Sequence, residues 1–186
     1  MENTYLSDIA DYENQEATFN GWVYNTRSVG KIWFLILRDG TGMTQCVVTR
    51  DDTPNDIFNL KKSLTQESSV SVTGVVKKEP RSVGGHEMLV KNIVVHQVAK
   101  KYPITLKEHG TSFLMDHRHL WIRSKKQHAI LKIRHQVVKA CRDFLDNNGF
   151  ILIDAPIFTA NACEGTSNLF AVDYFERSAY LTQSGQ

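Results

Sequence analysis

Apolar residues recur at alternate positions through roughly the first hundred residues, and at helical spacing after Ser124. Phe19-Asn20-Gly21-Trp22-Val23-Tyr24 begins a strand, with Gly21 at a bend. Lys31 to Arg38 (KIWFLILR) is a second strand, almost wholly apolar. Asp39-Gly40-Thr41-Gly42 reads as a tight turn in which glycine takes positive φ at little cost. Met43 to Arg50 (MTQCVVTR) then returns as a third strand, completing a hairpin. Pro54 to Leu64 carries Ile57, Leu60, Lys61 and Leu64 at helical spacing. Ser69 to Lys77 (SVSVTGVVK) alternates as a fourth strand, with a bend at Gly74. Ser82 to Gly85 is a turn, and Glu87 to Ala99 is a fifth strand.

Three strands, a helix and two more strands is the element order of an OB-fold, a small five-stranded β-barrel. Glycines within strands suit the tight coiling of such a barrel. The face around its second and third strands commonly holds single-stranded nucleic acid, by base stacking and edge contacts. Phe34 and Gln45 fall on those two strands. Phe34 can lie under a base, and the Gln45 amide carries both a donor and an acceptor for a base edge. Arg27 is a candidate for a phosphate or a guanine. An aromatic in an apolar strand is ordinarily core. Trp33 and Phe34 are adjacent, however, so alternation sends them to opposite sides, one inward and one outward.

The period changes in the second half. Lys100-Lys101-Tyr102-Pro103 ends the barrel, and residues 107–123 are rich in His and charge, anchored by Leu114, Leu120 and Trp121. His117-x-His119 has the spacing of a metal pair but lacks further ligands, so no metal site is expected. Ser124-x-x-Gln127 is a capping-box pattern. Ala129, Ile130, Ile133, Val137, Cys141, Phe144 and Leu145 then define an amphipathic helix of about six turns. Gly149 suits a left-handed cap after Asn147-Asn148. Phe150 to Pro156 reads as a strand closed by proline. Ala162 to Ser167 reads as a loop, and Leu169–Asp173 with Ala179–Thr182 as two antiparallel strands.

Composition narrows the classes. The chain has 186 residues, 41% hydrophobic and 23% charged, with a net charge of +2. That balance is ordinary for a globular protein and sets up no global basic field. No apolar run approaches a membrane span, and the first residues lack the blocks of a signal peptide. Neither a membrane nor DNA is an expected partner, and a cytoplasmic location is expected. Cys46, Cys141 and Cys163 are odd in number and widely spaced, and read as free structural thiols.

The long helix, Gly149-Phe150 and Pro156-Ile157 together resemble motif 1 of the class II aminoacyl-tRNA synthetases. Phe34-Leu35-Ile36-Leu37-Arg38-Asp39, with Gln45 eleven residues after Phe34, resembles the anticodon-binding barrel of the subgroup that charges aspartate, asparagine and lysine. His119-Leu120 followed by Ile122-Arg123 resembles its hinge. The resemblance spans nearly the whole chain in the family's order. It implies an OB-fold five-stranded β-barrel over residues 1–100, a hinge over 101–123, and the start of an α+β class II catalytic domain over 124–186, an antiparallel sheet with helices. It also implies a homodimer through motif 1, with tRNA, an amino acid, ATP and Mg2+ as ligands of the full-length enzyme.

The resemblance assigns roles residue by residue. Phe34 matches the aromatic that stacks on an anticodon base, and Gln45 the reader of the central uridine. Arg27 matches an anticodon contact, and Glu79 a weaker candidate for a neighbouring base. Glu164 matches the acidic residue of a mobile loop over the amino acid, where it suits an ammonium group. Ser184 and Gln186 match a hydroxyl and an amide beside the same substrate. Aspartate enzymes commonly carry proline where this chain has Gly185, so Ser184-Gly185-Gln186 resembles the asparagine-specific members, as does Glu164 to Phe170. An aspartate enzyme accepting one or both tRNAs is the alternative, and a non-catalytic tRNA-binding module a further one.

The ending at Gln186, on an apolar strand and a polar turn, is expected to be a cut through the amino acid pocket. The arginines and acidic residues of the family's motifs 2 and 3, which grip ATP and magnesium, find no counterpart in these 186 residues. No catalytic residue is therefore assigned here. The purified 186-residue chain is expected to give no ATP–pyrophosphate exchange with asparagine above background. Exchange above background would contradict that expectation.

Overall fold

A computed structural model describes residues 4–160 and 169–182. These fall into two units, residues 1–117 and 118–186.

The first unit is a closed barrel of five strands in the order β1-β2-β3-β5-β4. They are β1 (Glu16–Val29), β2 (Ile32–Arg38), β3 (Met43–Thr49), β4 (Ser69–Lys78) and β5 (His86–Gln97). All neighbours are antiparallel except the short parallel register of β3 with β5. This is the expected OB-fold. Helix α1 (Asn55–Asn59) and a following 3₁₀ turn (Leu60–Lys62) occupy the predicted helical segment. A preceding 3₁₀ helix, Leu6–Tyr12, was not legible as an element; it buries Leu6 and Ile9 in the barrel core.

Burial alternates strictly along β2 and β3. Trp33, Leu35, Leu37, Cys46 and Val48 are fully inside, against Phe19, Val23, Val72 and Met88. Burial also pushes the Cys46 thiol up to about 12, so it stays neutral and inert.

Two glycines exist for close approach. A Cβ at Gly74 would lie 2.3 Å from the Leu89 carbonyl oxygen, and one at Gly21 would lie 2.5 Å from that of Arg38. The register of β4 with β5 shifts at Thr73/Gly74, where the sequence placed a bend.

The β2–β3 turn is built differently from expectation. Neither Gly40 nor Gly42 takes positive φ. Instead the Asp39 carboxylate accepts from Thr41 N–H at 2.7 Å, the Thr41 hydroxyl at 2.7 Å, Gly42 N–H at 2.8 Å and Leu6 N–H at 2.8 Å. Burial works to raise its pKa, but these four donors outweigh that and hold it below the usual carboxylate range. One side chain thereby closes the turn and fastens the N-terminal 3₁₀ helix to it.

After the barrel, Thr65 Oγ1 donates to Ala99 O and Gln66 Nε2 to Ile104 O, holding the departing chain. Helix α2 (Thr111–Asp116) follows, with Phe113 stacked between His109 and His117.

The second unit opens with α3 (Arg118–Trp121) and α4 (Lys125–Asn147). Ser124 caps α4, accepting from Gln127 N–H at 3.4 Å, and Gly149 takes φ +84° just beyond its end. Both caps were legible. The segment 150–156, expected to be a strand, is not one: it forms no ladder with any described strand. Its apolar composition fits a strand, but a strand requires a partner for its backbone groups. The sheet of this unit starts instead at β6 (Phe158–Thr159) and runs β6-β8-β7, with β7 at Ala171–Tyr174 and β8 at Arg177–Leu181. That hairpin is the expected antiparallel pair, shifted by two residues at its start.

Gly74→Ala is expected to lower barrel stability by about 1–3 kcal/mol, the usual cost of forcing atoms into a packed site. Urea denaturation monitored by tryptophan fluorescence measures it; an unchanged midpoint would contradict the close-approach argument.

Candidate nucleic-acid interface

Strand alternation sorts the sequence-predicted residues. Trp33 is wholly buried, while Phe34 beside it is half-buried and faces outward. The barrel closure then lines up two outward rungs across four strands. One runs Arg27, Phe34, Val47 and Leu89; the other runs Asn25, Ile36, Gln45 and Glu87. Phe34 and Gln45 are thus diagonal neighbours, about 7–8 Å apart by sheet geometry. A base lying on the ring can present its edge to the amide at that spacing.

The Arg27 guanidinium carbon sits 4.9 Å from the Phe34 ring centroid. A cation over an exposed ring contributes about 0.5–1 kcal/mol. Arg27 therefore restrains the ring on the exposed end of β1 and sets a positive charge beside any base that stacks there. Its phosphate or guanine contact remains compatible with this position.

Gln45 is held by two groups outside its own strand. Its Nε2 donates to Ser82 Oγ at 3.3 Å and to Glu87 Oε2 at 3.3 Å, and Ser82 Oγ donates to Glu87 Oε2 at 3.5 Å. Neither Ser82 nor Glu87 was picked from the sequence. Glu87 lies 42 positions from Gln45 and meets it only through the parallel β3–β5 pairing. The signal was the outward phase of Glu87 on β5, but no local pattern pairs that strand with β3.

Glu79 lies in the β4–β5 connection, where its Oε1 accepts from Arg81 N–H at 3.1 Å. It makes no bond to the Phe34–Gln45 pair among the described residues. Glu164, Ser184 and Gln186, and with them Cys163, lie outside the described residues. Among the described residues no cluster of three or more His, Cys, Asp or Glu side chains could hold a metal. His117 Nδ1 instead pairs with Phe113 O at 2.9 Å.

An outward aromatic beside a fixed amide, on the second and third strands of an OB barrel, defines a surface for single-stranded nucleic acid. Residues 17–95 match the family model of the OB-fold nucleic acid binding domain, and residues 110–186 that of the class II tRNA synthetases (D, K and N). The chain belongs to the class II aminoacyl-tRNA synthetases of the aspartate, lysine and asparagine group.

Within that group its relatives are specific. It is 50% identical over 186 residues to the asparagine–tRNA ligase of Pelotomaculum thermopropionicum, all of this chain and 43% of that one. It is 52% identical over 181 residues to that of Sorangium cellulosum, covering 97% of this chain and 41% of that one. The chain thus spans less than half the length of these relatives. Its structure is similar to asparaginyl-tRNA synthetase from Pyrococcus horikoshii complexed with asparaginyl-adenylate, with a TM-score of 0.91 and 36% identity, over 100% of this chain and 43% of that chain. The Entamoeba histolytica asparaginyl-tRNA synthetase follows at a TM-score of 0.78 and 30% identity, over 98% and 42%.

Phe34→Ala is expected to weaken binding of an anticodon stem-loop by about 1–3 kcal/mol, one base stack, without changing stability. Trp33→Ala is expected to do the reverse, costing about 3–5 kcal/mol of folding free energy. Calorimetric titration and thermal melting of both variants check this; a swapped pattern would put Phe34 in the core.

Proposed function

We propose that this chain carries the anticodon-binding part and one wall of the amino acid pocket of an asparagine–tRNA ligase. The complete enzyme activates asparagine with ATP and transfers it to its tRNA during translation in the cytoplasm. The observation that carries this reading is the outward Phe34–Gln45 pair on the β2–β3 hairpin, beside a wholly buried Trp33. A ring on which any base can stack gives affinity, and an amide at its edge gives choice.

Arg27 adds charge for the RNA backbone, and Glu79 stands in the β4–β5 loop at the rim of the same barrel. Glu164, Ser184 and Gln186 are proposed to surround the amino acid, the carboxylate facing its ammonium group. A barrel over residues 1–100, a hinge over 101–123 and a catalytic part over 124–186 remains the proposed division.

ATP and Mg2+ enter as the substrate and ion of the complete enzyme. No metal-holding cluster exists among the described residues, and their proposed work is RNA recognition.

A homodimer through motif 1 is supported by exposed apolar surface. Ile133 is 65% exposed, Val137 56% and Phe144 67% along α4, and Ile151 and Ile153 are 87% and 84% exposed in the unpaired segment after it. Apolar side chains this exposed on one element normally meet a partner.

Gln45→Ala is expected to relax discrimination at the central anticodon base by about 1–3 kcal/mol, the usual value of a base-edge contact. Titrating stem-loops that differ only at that base measures it. Equal discrimination in wild type and variant would refute Gln45 as the reader.

A further inference from the structure

The hydrogen bonds around Gln45 fix which end of its amide can meet a base. Both protons of Nε2 are taken: one is donated to Ser82 Oγ and the other to Glu87 Oε2, each at 3.3 Å. The choice between oxygen and nitrogen at an amide is a matter of its partners. Here the partner decides it, because a carboxylate accepts and does not donate. The Ser82 hydroxyl gives its single proton to the same Glu87 oxygen at 3.5 Å, and so meets Gln45 as an acceptor. The three bonds form a closed triangle in which every donor proton is used. Reversing the amide would set Gln45 Oε1 against the Glu87 carboxylate and against a hydroxyl already donating elsewhere. Oε1 has no bonding partner among the described residues, and is the end left for a ligand.

We infer that Glu87, aided by Ser82, is a specificity-determining positioning residue that locks the Gln45 amide with its carbonyl oxygen toward the base. This deepens the proposed reading and rests on Gln45 meeting a base edge. An acceptor opposite the central ring nitrogen rewards a base with an imino N–H there. Uracil offers N3–H at that point, whereas cytosine offers an N3 lone pair that repels the carbonyl. Preference for uridine over cytidine thus comes from the Glu87–Ser82 triangle rather than from glutamine itself, since a free amide can rotate to suit either base.

The test uses the whole 186-residue chain and two RNA stem-loops, identical except for uridine or cytidine at the middle anticodon position. Dissociation constants are measured by fluorescence anisotropy for wild type, Glu87→Gln, Ser82→Ala and Gln45→Ala. The ratio of the two constants is taken within each variant, so partial loss of folded protein cancels. Wild type is expected to favour uridine by about tenfold or more, in the range of a base-edge contact. Glu87→Gln is nearly isosteric but can donate as well as accept. It is expected to bring the ratio close to one chiefly by tightening the cytidine complex, and Ser82→Ala to do so in part.

A Glu87→Gln protein that binds both RNAs more weakly with the ratio unchanged would overturn the inference, making Glu87 at most a direct RNA contact. If Gln45→Ala alone collapses the ratio, the inference fails while the base-reading role stands. If Gln45→Ala leaves the ratio intact, or wild type shows no preference or no binding, the underlying reading fails and the inference falls with it.

Discussion

The barrel is closed, and closure is the constraint from which the interface follows. Five strands joined in a ring leave each residue only two directions, into the core or out to solvent. Once Trp33 fills the interior, Phe34 has to face outward, and the registers of β1, β3 and β5 bring Arg27, Gln45 and Glu87 around it. The same closure explains Gly74, whose missing side chain lets β4 and β5 pack to within a carbonyl's reach. Asp39 extends the constraint to the chain before the barrel, because one carboxylate closes the β2–β3 turn and receives the Leu6 amide.

The second unit obeys a different logic. Its α4 is well capped at both ends and carries Arg142–Asp146 and Lys139–Asp143 pairs four residues apart. Such pairs support an isolated helix by a few tenths of a kcal/mol. None of the α4 side chains is buried among the described residues. The helix is therefore specified locally by caps and charge pairs, while its apolar residues remain available for further packing. The barrel is the opposite case, specified by long-range pairing and held by a common core.

Much of this was legible because the responsible forces are local or periodic. Alternation gave the five strands and the opposed fates of Trp33 and Phe34; Ser124 and Gly149 marked the ends of α4. What stayed hidden depended on distant partners. Leu6 and Ile9, three positions apart, carried a faint helical signal that acquires meaning only against a barrel end. Residues 150–156 have strand composition, but composition cannot supply the second strand that a ladder requires. Glu87 was hidden for the converse reason: its own strand was evident, but its neighbour was set by a parallel pairing across 42 positions. Of the candidate site, Phe34, Gln45 and Arg27 were read from sequence and lie together. Ser82 and Glu87 came only from geometry.

The central claim is that the β2–β3 hairpin face holds the middle base of an anticodon loop. Photo-cross-linking tests it most directly. A stem-loop with 4-thiouridine at the middle anticodon position is irradiated with the protein, and the attached peptide is located by mass spectrometry. The account predicts attachment within residues 32–49, centred on Phe34 and Gln45. Attachment confined to the opposite wall of the barrel, around Thr18, Asn20 and Ser71, or to the second unit, would contradict it.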